Sequence, residues 1–169
     1  MTTLLLVRHG ETDWNAERRW QGHADVPLNG RGREQANALA EQLAGERIDA
    51  IYTSDLSRAR VTAEIVGARV GVSVAVDPDL REIDVGSREG LTGEIEAPWD
   101  GEESAAHAAR ILAAVTRIAA SHPTGRVLVV THGGSMRRVH EHLGLEDKPF
   151  ENCVVWACSH EDGALRAID

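Results

Sequence analysis

The stretch TLLLVRHG, residues 3–10, decides the reading of the chain. Leu4 to Val7 is an unbroken apolar run, too short for a helix and without the alternation of a half-exposed strand. Such a run predicts a strand from Thr3 to Val7 buried on both faces, as strands of parallel sheets are. It breaks into Arg8-His9-Gly10, a cation, an imidazole and a flexible residue at the strand's carboxyl end. The same form returns in VLVVTHGG, residues 127–134. There Val127 to Val130 is the most apolar strand candidate, expected at the centre of a sheet, and Thr131-His132-Gly133-Gly134 follows it.

Working outward, the elements alternate. Asn29 is placed to cap a helix reaching about Leu43, with Ala36, Leu39, Ala40 and Leu43 on one face and Gly45 where the helix stops. Asp49 to Thr53 reads as a strand. Ser54 or Asp55 caps the next helix, which turns Ala59, Thr62, Ala63 and Val66 inward. Ser73 to Val76 is a short strand. Residues 79–101 carry glycines and little periodicity and read as loop, with Trp14 and Trp20 expected to anchor the earlier irregular segment, residues 11–29. A helix spans Glu103 to Ala120, with Ala108, Ile111, Leu112, Val115 and Ala119 along its stripe. Another runs to Leu143 and is closed by Gly144. Late strands at Val154–Ala157 and Ala164–Ile168 flank a turn at Glu161-Asp162-Gly163. This order predicts a single α/β domain over residues 1–169, a three-layer α/β/α sandwich whose mostly parallel central sheet has helices on both faces. No repeat, low-complexity tract or linker interrupts it.

Composition narrows the partners. The chain has 169 residues, is 42% hydrophobic and only 4% aromatic, so Ala, Val, Leu and Ile must fill the core. Its formal net charge of -9 repels nucleic acid and anionic membrane surfaces. An anionic substrate would need locally placed cations. Cys153 and Cys158 match no metal spacing and read as buried reduced thiols pointing to opposite faces of one strand. The four-residue apolar run near the start is too short for a signal-peptide core, which gives a cytoplasmic expectation. His140 and His142, two apart on a helix, read as a solvated face and not as metal ligands.

The chemistry gathers at the strand ends. Ligands of open α/β sheets bind beyond the carboxyl ends of the strands, where both His9 and His132 fall. Glycine beside each lets backbone approach a ligand and turn N–H groups toward an anion. A lone histidine in such a place is more often structural; two in matching positions shift the balance. Arg8 continues a buried strand into the crevice, where its charge requires a partner, and Arg58 stands in the first turn of the following helix. Arginine's planar fork of donors fits phosphate oxygens, and helix N-termini favour the same anion.

With these residues in view, LVRHGETDWN (6–15) resembles the signature of the histidine phosphatase superfamily, in its phosphoglycerate-mutase-like branch. QGHADVPLNGRGREQA (21–36), SDLSRARVTAEI (54–65), LREIDVGSREGLT (80–92) and VLVVTHGG (127–134) continue the resemblance in order over most of the chain. The resemblance implies His9 as phosphoryl acceptor, His132 as a second histidine stabilising the transferring group, and Arg8 and Arg58 as phosphate clamps. Asn15 and the Gly133 backbone are implied as phosphate contacts, Gln21 and Gly22 as substrate contacts, and Glu82 as the acid that protonates the leaving oxygen. Nearby cations would lower the Glu82 pKa, while burial and the phosphate would raise it.

The implied activity is a metal-independent phosphatase that needs no cofactor and acts on a small phosphorylated metabolite. The sequence departs from many relatives between residues 90 and 103, where a cap of a few tens of further residues is replaced by a short segment. Trp99 within it either covers the site or packs in the core. A short cap admits water to a phosphohistidine, which favours hydrolysis over mutase chemistry. The alternatives are a phosphoglycerate mutase, a phosphohistidine protein phosphatase, or a phosphate-binding module without turnover. Oligomeric state is not legible in the sequence.

Overall fold

A computed structural model describes residues 1–168. Its six-stranded mixed sheet has the order β3-β2-β4-β1-β5-β6. The strands are β1 (Thr2–Arg8), β2 (Ala50–Thr53), β3 (Val74–Val76), β4 (Arg126–Thr131), β5 (Val155–Glu161) and β6 (Ala164–Ala167). β1 to β4 are parallel, and β5 and β6 add an antiparallel edge beyond β1. The helices are a short α1 (Asp13–Ala16), then α2 (Gly30–Leu43), α3 (Ser57–Val70), α4 (Ser104–Ser121) and α5 (Gly133–His142).

The unbroken apolar runs are explained by two cores. Leu4 and Leu6 of β1 and Val127 and Val129 of β4 pack with α4 and α5. Leu5, Val7, Leu128 and Val130 face the other way, onto α2 and α3. Each central strand therefore buries its apolar side chains alternately on the two faces, and the sandwich has the three layers expected.

The parallel register of β1 with β4 aligns Val7 with Val130 and Arg8 with Thr131. The His9 N–H donates to the Thr131 carbonyl at 3.0 Å, so the two histidine-bearing strand ends leave the sheet together. The chain after β1 then crosses the N-terminus of α2. Asn29 caps that helix as expected, accepting from the Gly32 N–H at 2.8 Å. A Cβ on Gly10 would collide with the Gly32 carbonyl, and one on Gly32 with the Glu11 backbone. The loop that carries His9 is thus seated backbone against backbone on the helix.

Several expectations are revised. Neither Ser54 nor Asp55 caps α3: Leu56 holds the N-cap position without a side-chain cap, and Ser54, two residues earlier, accepts from the Leu56 N–H at 3.3 Å while its hydroxyl lies 2.9 Å from His132 Nε2. β5 begins one residue later than expected and runs on to Glu161, since pairing with β1 and β6 carries the polar Ser159 and His160 that obscured it. Cys153 lies outside the strand in a left-handed turn (φ 57), though it and Cys158 are buried in opposite cores as free thiols. Ala108 and Leu112 are only half-buried on α4; His107, Ala114 and Ile118 complete its inner face. His140 is buried at 5% exposure against Phe150 and Trp156 instead of lying on a solvated face, while His142 is exposed. Trp20 is 41% exposed and is held mainly by its main chain, whose N–H donates to Leu91 O at 2.9 Å and whose carbonyl accepts from Gly90 N–H at 2.8 Å.

The Gly10–Gly32 approach makes a direct prediction. Gly32→Ala should lower stability by about 2 kcal/mol through overpacking. Gly30→Ala, whose Cβ meets nothing within 4 Å, should not reduce it. Urea unfolding of both variants checks the contrast.

Candidate active site

His9 and His132 are 2% and 0% exposed, with ring centroids 5.2 Å apart and planes inclined at 62°. The His9 Nδ1 lies 2.7 Å from its neighbour's carbonyl, Gly10 O. A carbonyl only accepts, so Nδ1 carries the hydrogen and Nε2 carries the lone pair. Burial above all, then the charges of Arg58 and Arg8, hold His9 well below the usual imidazole value of 6.5. Burial, Arg58 and His9 do the same to His132. Both rings are neutral at neutral pH. The His132 Nε2 meets the Ser54 hydroxyl at 2.9 Å, and its buried Nδ1 has no partner.

Two guanidiniums flank this pair. Arg58 is 1% exposed and is fixed by two main-chain carbonyls, its Nη1 donating to Ala24 O at 2.7 Å and its Nη2 to Gly22 O at 2.8 Å. Burial lowers it to about 10, which leaves it charged at neutral pH. The Arg8 Nη1 donates to Phe150 O at 2.8 Å. The Nε of each is buried and unpartnered, and among the described residues no carboxylate forms an ion pair with either. A buried and a half-buried cation satisfied only by carbonyl dipoles make a site for an anion.

Glu82 sits in a loop held from behind. His23 Nε2 and Arg110 Nη2 donate to its main-chain carbonyl at 2.8 and 3.2 Å. Its carboxylate oxygens accept from the main-chain N–H of Ile83 at 3.0 Å and of Gly134 at 2.9 Å. Gly134 is therefore the α5 backbone group that faces the acid. Gly133, singled out from the sequence as a contact, stands behind the Arg8 guanidinium, where a Cβ would lie 3.4 Å from Nε.

Asn15 and Gln21 converge on Thr12, whose hydroxyl lies 3.2 and 2.8 Å from their amide oxygens. Asn15 also caps α1 reciprocally with Thr12. Arg8, His9, Asn15, Gln21, Gly22, Arg58 and Glu82 all line one cavity of about 850 Å³. Trp99 lies on its wall, half-buried, with its indole N–H donating to Glu102 O at 3.0 Å and the Arg88 guanidinium 4.8 Å from its ring. It borders the site and is not a core residue. Sequence reasoning missed Ser54, although it follows a strand end as the histidines do, and missed His107 and Arg138, which reach the cavity from helices without a motif. No group of three metal-binding side chains occurs among the described residues, and no helix there is long and apolar enough to cross a membrane.

The profile of the histidine phosphatase superfamily (branch 1) matches residues 4–160. Phosphoglycerate mutase-like protein 4 of Arabidopsis thaliana is 40% identical over 159 residues, covering 82% of this chain and 69% of that protein. A metal-independent phosphoserine phosphatase of the same plant is 38% identical over 161 residues, covering 83% and 68%. Among solved structures, a mycobacterial glucosyl-3-phosphoglycerate phosphatase complexed with VO3 superposes with a TM-score of 0.86 at 32% identity, covering 97% of this chain and 95% of that one.

The two depressed imidazoles link stability to pH. Each binds its proton more readily in the unfolded chain, near 6.5, than in the folded one. Their contribution is full above that value and is lost as the pH falls below it. The urea midpoint should therefore drop from pH 7.5 to pH 5, and His132→Gln should make the drop shallower. An unchanged slope in that variant would assign the dependence to other groups.

Proposed function

The chain belongs to branch 1 of the histidine phosphatase superfamily, and from that premise we propose that it hydrolyses phosphate monoesters of small metabolites through a phosphohistidine on His9. The observation that carries this reading is the neutral His9, with its Nε2 lone pair free, beside the buried Arg58 and half-buried Arg8 guanidiniums, neither of which has a carboxylate ion-pair partner among the described residues.

In the proposed reaction a phosphoryl group enters between Arg8 and Arg58. Their free Nε–H groups and the cationic forks take the charge spread over its equatorial oxygens. The unpartnered His132 Nδ1 supplies a further polar contact to the same group. The amides of Asn15 and Gln21 and the backbone at Gly22 lie around it. His9 Nε2 attacks phosphorus, forming the P–N bond as the P–O bond to the leaving group breaks. Protonated Glu82 gives its proton to the departing oxygen. Water then attacks phosphorus, the P–N bond breaks, and Glu82 takes the water's proton. His9 and Glu82 end as they began, and inorganic phosphate is released.

Hydrolysis is favoured over mutase chemistry because residues 90–103 provide only a short cap. Trp99 contributes one wall of an 850 Å³ cavity, and nothing in that segment is long enough to enclose a phosphorylated intermediate. The whole chain acts as one domain in this reading, and a phosphoprotein substrate is the second reading, which a short-capped cavity accommodates.

Release of inorganic phosphate from a panel of phosphorylated metabolites tests the proposal, with conversion of 3-phosphoglycerate to 2-phosphoglycerate followed in parallel. Phosphate release without isomerisation is expected. His9→Ala should abolish both turnover and the acid-labile, alkali-stable label left on the protein by a radioactive substrate. Isomerisation, or turnover by a clean His9→Ala preparation, would overturn the mechanism.

A further inference from the structure

His107 occupies a place that packing does not explain. It lies on the inner face of α4, in line with Ile111, Ala114 and Ile118, where an apolar residue would fill the core. It is 1% exposed, yet it reaches the cavity wall. Its hydrogen bonding is decided by its neighbours. The Ser135 hydroxyl lies 3.0 Å from the Arg81 carbonyl, which only accepts, so the hydroxyl hydrogen is spent there. Ser135 Oγ can then only accept from His107 Nε2, 3.1 Å away, and Nε2 carries the hydrogen. The same Nε2 lies 3.9 Å from Glu82 Oε1.

We propose that His107 is a positioning residue for Glu82, its Nε2–H aimed by Ser135 so that it steadies the carboxyl group as that group gives up and regains its proton. The inference rests on the reading of Glu82 as the proton donor. When the carboxyl ionises, Oε1 becomes a stronger acceptor than a serine hydroxyl, and the N–H can shift toward it over a short gap. A neutral ring suits this role. An imidazolium would hold Glu82 as a carboxylate and remove its donor form, whereas an apolar residue would leave the new anion without that N–H. Burial above all lowers His107 from 6.5; Glu82 and Glu102 raise it, and Arg110 and Arg138 lower it, which keeps the ring uncharged near neutral pH.

The test compares His107→Leu, which removes the donor, with His107→Gln, which keeps an N–H at similar reach. Each is assayed on an alkyl phosphate, whose poor leaving group needs an acid, and on p-nitrophenyl phosphate, whose leaving group does not. His107→Leu should lower kcat on the alkyl ester by about tenfold and on the aryl ester by less than about threefold. His107→Gln should restore most of the loss. In a Glu82→Gln background, His107→Leu should have no further effect on the alkyl ester. Thermal midpoints of both variants separate folding loss from this effect. Equal losses on both esters, or no rescue by Gln, would make His107 a strut between α4 and α5 and overturn the proposal. If Glu82→Gln itself slows both esters equally, the reading of Glu82 fails instead.

Discussion

The parallel pairing of β1 with β4 is the constraint on which the site depends. In that register Arg8 pairs with Thr131, the last residue of each strand, and the residue after each is a histidine. The main-chain bond from His9 to Thr131 ties the two exits together before any side chain acts. Both strands are buried on both faces, so a slip of one residue would turn every Leu and Val of β1 into the wrong core. The apolar packing that holds the sheet therefore also holds the two imidazoles 5.2 Å apart.

An acidic protein handles an anion by building its cations into the interior. Formal charge of -9 sets an unfavourable long-range field, and ion pairs such as Arg81–Asp55 and Arg110–Glu102 use up charge nearer the surface. Arg8 and Arg58 are treated differently. Their partners are carbonyl oxygens of Phe150, Ala24 and Gly22, which orient the guanidinium without neutralising it. Burial above all, with the charge of these arginines added to it, keeps the histidines neutral, so the same arrangement that attracts an anion leaves a lone pair on His9. The residues that fix Arg58 come from the 21–24 segment, which links the irregular loop after α1 to the first turn of α3.

Glu82 is governed by contacts from four parts of the chain. His23 and Arg110 hold its carbonyl, Gly134 and Ile83 donate to its carboxylate, and His107 stands beyond. Gly134 must lack a side chain for this: a Cβ there would run into the Glu82 carboxylate. The glycine pair after His132 is thus divided in use, one member backing Arg8 and the other admitting the acid. A local motif becomes a long-range clamp because α5 starts where β4 ends.

The amino-acid order by itself determined the layers. Unbroken apolar runs at Leu4–Val7 and Val127–Val130 can only be strands covered twice, and the period of α2 and α4 marks the faces that cover them. It also determined that His9, His132, Arg8 and Arg58 sit at strand ends and helix starts, since those positions follow from local pattern. Only the tertiary structure decided the rest. Ser54 looks like a helix cap in sequence, yet its hydroxyl goes to a histidine 78 positions away. His140 looks solvated on its own helix, yet Phe150 and Trp156 cover it from a later segment. His107 carries no mark in the sequence, one residue before the stripe that starts at Ala108, until α5 brings Ser135 beside it. In each case the deciding contact joins residues far apart in sequence, and periodicity reports only which side of an element is buried, never what it is buried against.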